Sequence, residues 1–212
     1  MAIFRACFIG DSITLGTADE ELLGWPGRIV RHVWAEGHDV TCYNLGIRAD
    51  TTTLILKRWR AEAEARLPPH IQGRLVFAFG VNDSAFENGT QLRVPPEQSF
   101  ANARAMVGEG KAWKPTLWVG PAPVRKSGQR VNPAQGVTYD FQNERIQALD
   151  QGYRKVAAEL GVPYLPVFDK LIDHEGWHTA LAAGDGVHPA GVGYATVARL
   201  VMQWEAWKAW LS

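Results

Sequence analysis

The sequence predicts an α/β protein, a three-layer α/β/α sandwich built on a five-stranded parallel sheet. Three observations carry that expectation. Apolar runs of strand length recur at even intervals along the chain. Between them lie longer segments whose apolar residues repeat with the 3.6-residue period of a helix. Several of the strand-like runs are almost continuously apolar, as parallel strands covered on both faces must be.

The strand candidates are IFRACFIG at 3–10, DVTCYNLG at 39–46, RLVFAFG at 74–80, PTLWVGP at 115–121 and VPYLPVF at 162–168. The first interval holds a predicted helix from Leu22 to Glu36, with Ile29, Val30, Val33 and Trp34 as its apolar face. Helices are also expected over Thr51–Leu67, Pro96–Trp113 and Tyr139–Leu160, the last followed by Gly161 as its terminating residue. A final helix is expected from Pro189 to Leu211, with proline where a helix tolerates it best. Alternation of this kind implies βαβ units. Ser84–Pro96 and Ala122–Val137 read as long loops, and both follow strands, so both are expected to border the crevice at the sheet's carboxyl edge. No internal repeat or linker interrupts the pattern, and 212 residues suit one domain over 1–212.

Composition excludes several function classes. Lys and Arg number 22, balanced by 22 Asp and Glu, so neither a nucleic-acid footprint nor a polybasic membrane surface is expected. No run approaches the roughly 20 apolar residues that span a bilayer. The opening MAIFRACFIGDS lacks the layout of a secretory signal, which makes the cytoplasm the default location. Cys7 and Cys42 lie in strand-like runs and read as small buried hydrophobes. Trp204, Trp207 and Trp210 fall at helical spacing; they are expected to pack on the domain, whereas an exposed stripe would mark a homodimer interface.

Two motifs compete for the chemistry. HEGWH, at 174–178, has the letters of a zinc-binding H-E-x-x-H helix. Its Gly176 weakens a helix by about 1 kcal/mol relative to alanine, and the segment leaves room for only a short one. A catalytic zinc also needs a third protein ligand, and Leu181 and Gly184 stand where the extended motif has glycine and histidine. No metal is therefore expected, and His174 and His178 read as a loop or short-helix pair. DGVHP follows at 185–189, where Asp185 and His188 lie close enough for the carboxylate to orient the imidazole. Three strand ends supply what that pair lacks. GDSITLG places Ser12 at the end of the first strand, NLGIRADTT brings Gly46, and GVND brings Asn82. A serine hydroxyl needs a neighbouring base to become nucleophilic, which His188 would provide. The N–H groups of Ser12 and Gly46 and the Asn82 carboxamide would then hold the oxygen that turns negative in acyl transfer.

Those four blocks, in this order and spread over residues 10–189, resemble the SGNH hydrolases, also called GDSL esterases and lipases. The resemblance implies a flavodoxin-like sandwich, a Ser12–His188–Asp185 triad, an oxyanion hole from Ser12, Gly46 and Asn82, and hydrolysis of an ester or thioester without a cofactor. Asp11 and Asp83 match family positions and read as loop organisers. Two departures stand out: Ile13 where leucine is usual, and Ala49 where the family often has a second glycine. Arg48, beside Gly46, is the candidate substrate contact. Partners are expected to be small acyl esters, with thioesters and acetylated sugars as alternatives on the same site. The rival from another class is a catalytically silent module binding a carbohydrate or anion.

Overall fold

The computed structural model describes residues Met1–Ser212. In chain order the elements are β1 (Ile3–Gly10), α1 (Ser12–Leu15), α2 (Gly24–Ala35), β2 (Asp39–Gly46), α3 (Thr52–Glu64) and β3 (Gly73–Ala78). A 3₁₀ turn over Asn82–Ser84 leads to β4 (Phe86–Glu87), β5 (Gln91–Leu92), α4 (Pro96–Trp113), β6 (Thr116–Val119), β7 (Gln129–Ala134) and β8 (Val137–Phe141). The remainder is α5 (Asn143–Leu160), β9 (Tyr164–Leu165), α6 (Val167–Leu171), α7 (Glu175–Ala183), α8 (Gly191–Met202) and α9 (Glu205–Lys208).

The main sheet has the order β2-β1-β3-β6-β9, and every pair is parallel. This is the expected α/β sandwich, with the strand order of flavodoxin-like folds. Alternation along each strand feeds two cores. Phe4, Ala6 and Phe8 of β1 join Val76 and Leu117 on one face, under Trp25 and Ile29 of α2 and Tyr194 and Val197 of α8. Cys7 and Ile9 join Leu75, Phe77 and Trp118 on the other, under Trp59 of α3, Met106 of α4 and Tyr153 of α5. Burial pushes both cysteine thiols up to about 12, so neither offers a reactive thiolate near neutral pH.

Four expectations need correction. The two long loops are not structureless: they carry a second, antiparallel sheet of order β5-β4-β8-β7. Tyr139 and Phe141 belong to β8, not to the helix that starts at Asn143. Their spacing of two residues puts both rings on one face of a strand, Val137 and Thr138 are β-branched, and Phe86 and Glu87 offer backbone partners at Asp140 and Tyr139. The run at 162–168 yields only the two residues of β9 before α6 begins. The last helix breaks at Gln203 and restarts as α9, with Ala190 rather than Pro189 at its entry.

The tryptophans turn inward despite that break. Trp207 is fully buried against Phe4, Phe8 and Trp210, and Trp204 and Trp210 pack on the same core. HEGWH does form a helix, the nine-residue α7, longer than its confined position suggested. His174 caps it, accepting the Trp177 N–H at Nδ1 over 3.1 Å. The Nε2 of His178 lies 2.6 Å from the Ile172 carbonyl oxygen. Each ring thus spends a nitrogen on the backbone.

Candidate active site

The carboxyl ends of β1, β2 and β3 open on one crevice, beside the point where the strand order reverses. β1 ends at Gly10, where a methyl group would collide with the Ala78 carbonyl oxygen and the Thr14 hydroxyl. The chain therefore turns at once into α1. Asp11 caps that helix, its Oδ1 accepting the Ile13 N–H over 2.9 Å, and Ser12 is the first helical residue. As such, its own N–H has no acceptor within the helix. Arg58 of α3 braces the edge by donating to the carbonyls of Gly10 and Leu45, each at 2.9 Å, and to Asp50 at 2.7 Å.

The C-terminal segment is brought to this edge by contacts far apart in sequence. Tyr194 donates its hydroxyl to the Thr17 carbonyl over 2.6 Å, and the Gly191 N–H reaches Glu20 over 2.8 Å. The loop before α8 then lays His188 over Ser12. The His188 Nε2 is 2.7 Å from Ser12 Oγ, and its Nδ1 is 2.7 Å from Asp185 Oδ2. The other Asp185 oxygen accepts the N–H groups of Val187 and His188, at 2.9 and 2.7 Å. Desolvation alone would raise this carboxyl; the ring hydrogen bond, the backbone donors and the His188 charge outweigh it and hold Asp185 at about 2. A carboxylate facing Nδ1 makes that nitrogen the donor, leaving Nε2 of a neutral ring free to accept the serine proton.

The expected oxyanion donors fare differently. Asn82 reaches the site, and its Nδ2 donates to Asp11 Oδ2 over 3.3 Å. Gly46 does not offer its N–H, which is spent on Asn44 Oδ1 at 3.0 Å. Its α-carbon packs on α1, where a methyl group would strike the Leu15 nitrogen and the Asp11 carbonyl. Gly46 is thus a close-packing glycine. Ala49, three residues on, lies in the left-handed region at φ 62°, lines the same cavity as Ser12, Asn82 and His188, and its N–H carries no hydrogen bond. The cavity has a volume of about 130 Å³. Val131, Tyr139 and Phe141 of the β7–β8 hairpin roof it, and Arg48, without an ion pair, stands at its mouth.

Asp83 lies behind the crevice. It accepts the Thr52 N–H at 2.8 Å and the Ser99 hydroxyl at 2.6 Å, tying the start of α3 to α4. Asp11 is completely buried. Desolvation raises its carboxyl to about 6, against the Ile13 N–H, the nearby His188 and the Asn82 amide, with Asp83 adding to the rise. The folded chain therefore keeps a proton at Asp11 that the unfolded chain releases from about pH 4 upward, so this contribution to stability falls as pH rises from about 4 to about 6. Asp185 acts oppositely: its contribution is present above about pH 4 and is lost as pH falls towards about 2. Urea unfolding at pH 4.5 and 7 should show wild type losing roughly 2 kcal/mol relative to Asp11→Asn over that interval. An unchanged difference would mean that Asp11 titrates normally.

Fold and site together define a class, an ester-cleaving hydrolase of the α/β type. The chain belongs to the GDSL-like lipase/acylhydrolase family, whose profile matches residues 8–196. Among solved structures it is similar to a lipase/acylhydrolase from Enterococcus faecalis, at 22% identity and a TM-score of 0.74, covering 95% of this chain and 94% of that one. It is also similar to an acetylxylan esterase from Geobacillus stearothermophilus, at 18% identity and TM-score 0.70, over 96% and 95% of the two chains. The esterase EstA from Pseudoalteromonas sp. matches at 16% identity and TM-score 0.69, over 98% of each chain. These likenesses bear on the fold. No curated protein matches the chain.

Sequence reasoning missed Ala49, the hairpin roof and Arg93, which touches both Asn82 and Ala49. A signal existed for the first alone: a family glycine replaced by alanine points to a position of unusual backbone conformation.

Proposed function

We propose that the protein is a serine esterase hydrolysing short-chain carboxylic esters. The reading is carried by one observation, the unbroken hydrogen-bonded series from Asp185 through His188 to Ser12, with 2.7 Å at each side-chain step. Ser12 Oγ attacks the acyl carbonyl while His188 Nε2 takes its proton, and Asp185 stabilises the resulting imidazolium. The carbonyl oxygen, now negative, is received by the N–H groups of Ser12 and Ala49 and by Asn82 Nδ2. His188 returns the proton to the departing alkoxide, which leaves as the alcohol while the acyl group stays bonded to Ser12 Oγ. Water, deprotonated by His188, then attacks that acyl group; the proton returns to Ser12 and the carboxylic acid departs.

Cavity size supports the short acyl chain. About 130 Å³ is well below the several hundred of pockets that enclose drug-sized ligands. An acetylated carbohydrate is one member of that substrate class, as the similar acetylxylan esterase suggests. The test pairs fluorophosphonate labelling with a chain-length series. One equivalent of probe should attach at Ser12, and p-nitrophenyl acetate and butyrate should be cleaved at least about tenfold faster, in kcat/KM, than the dodecanoate. Acyl-CoAs and acetylated sugars in the same screen separate the leaving groups. A protein that neither labels nor cleaves short esters is not this enzyme.

A further inference from the structure

Arg93 lies between β5 and α4, within a stretch that the sequence marks only as loop. Its backbone is fixed to the turn that carries Asn82: its N–H donates to the Ala85 carbonyl over 2.9 Å, and the next N–H reaches the Asp83 carbonyl at 3.4 Å. The side chain is only 9% exposed. Nη1 donates to Asn82 Oδ1 over 3.1 Å, and Nη2 donates to the Ala49 carbonyl over 2.8 Å. The guanidinium lies 4.2 Å from the centre of the Tyr139 ring, and its nearest carboxylate, on the half-exposed Glu87, is 3.9 Å away. One buried cation therefore grips the two residues that the mechanism uses as donors beyond Ser12.

We propose that Arg93 is the positioning residue of the oxyanion site, holding Asn82 and Ala49 in donor geometry. The proposal rests on the esterase reading above. Arginine has donors only, so the Asn82 face turned towards it must be the carbonyl oxygen. The opposite face is then the amide, where Asp11 accepts one hydrogen and the second is left for substrate. A carboxamide free to turn over would present its oxygen to the developing negative charge. At Ala49 the grip falls on the carbonyl of a residue whose left-handed backbone is disfavoured for an L side chain, and it keeps that turn from relaxing. Arginine suits the task because its flat fork reaches two oxygens from one permanent charge, whereas lysine is a point donor. Its donation to Oδ1 also polarises the amide and strengthens the hydrogen bond that Nδ2 gives.

The experiment compares Arg93→Met and Arg93→Lys with wild type on p-nitrophenyl acetate, in the full chain, with and without Asn82→Ala. Arg93→Met should lower kcat about 10- to 100-fold with KM changed by less than about threefold, because the contact matters in the transition state. Arg93→Lys should fall between the two. In the Asn82→Ala background most of the Arg93 effect should vanish, leaving less than about a threefold loss. Melting curves establish that each variant is folded, and the cycle is read on Arg93→Lys should Arg93→Met fail to fold. A kcat within about twofold of wild type in a folded variant, or an equal loss in both backgrounds, overturns the proposal. Wild type that neither labels at Ser12 nor turns over instead removes the esterase reading itself, so the two failures are distinct.

Discussion

Ser12→Ala is expected to lower kcat by on the order of 10⁵, close to the limit set by residual binding and oxyanion contacts. The fold should survive, since alanine loses one hydroxyl whose partner is His188 Nε2. KM should change little and fluorophosphonate labelling should disappear. Retained labelling elsewhere on the chain would place the nucleophile at another residue. Asp185→Asn should cost less, about 10²- to 10³-fold, although an amide nitrogen facing Nδ1 favours the wrong tautomer. The physical reason is exposure: the Asp185 side chain is 45% accessible, so water reaches the ring and screens the carboxylate.

The largest stability effect is expected at Trp207. Its ring is fully buried, edge-on to Phe4 at 6.3 Å and tilted against Trp210 at 5.6 Å, and it closes the sheet face beneath Phe8. Trp207→Ala should destabilise by about 3–5 kcal/mol, through lost burial and an unfilled cavity. For a chain of this size that lowers Tm by roughly 10 °C or more, read by calorimetry. Trp207→Phe should cost clearly less, because it keeps an aromatic ring and deletes an indole N–H that has no hydrogen-bond partner. Equal losses for the two substitutions would show that the ring's packing is not the source. Activity below the transition should be unaffected, since α9 lies away from the crevice residues.

Legibility followed the physics of each feature. Strands β1, β3 and β6 could be read because central parallel strands are apolar on both faces, whereas β2 lies at the sheet edge and was legible from its β-branched and aromatic residues and its terminal glycine. The hairpin at Gln129–Phe141 could not. Its residues 132–136 are exposed and its apolar content is thin, so its two strands exist largely through pairing with each other and, for β8, with β4. Ser12, Asn82, Asp185 and His188 were legible because each stands at a strand end or helix entry marked by Gly, Asp or Pro. Gly46 was expected to offer a free N–H, and Ala49 carries one instead, for a related reason. Glycine in a turn is read as freedom of the backbone, but Gly46 exists to let α1 approach, while Ala49 adopts the left-handed turn without one.

The opposing fates of HEGWH and DGVHP show the same division within sixteen residues. Sequence by itself determined the sandwich, the order of its main elements and the four blocks of the family resemblance, because these depend on local periodicity and on residue types with few alternatives. Tertiary structure alone decided which N–H groups face the cavity, what roofs it, and that Arg93 binds Asn82 and Ala49 together. Those outcomes depend on the direction of single bonds and on contacts between residues 11 and 44 positions apart, which no local pattern encodes.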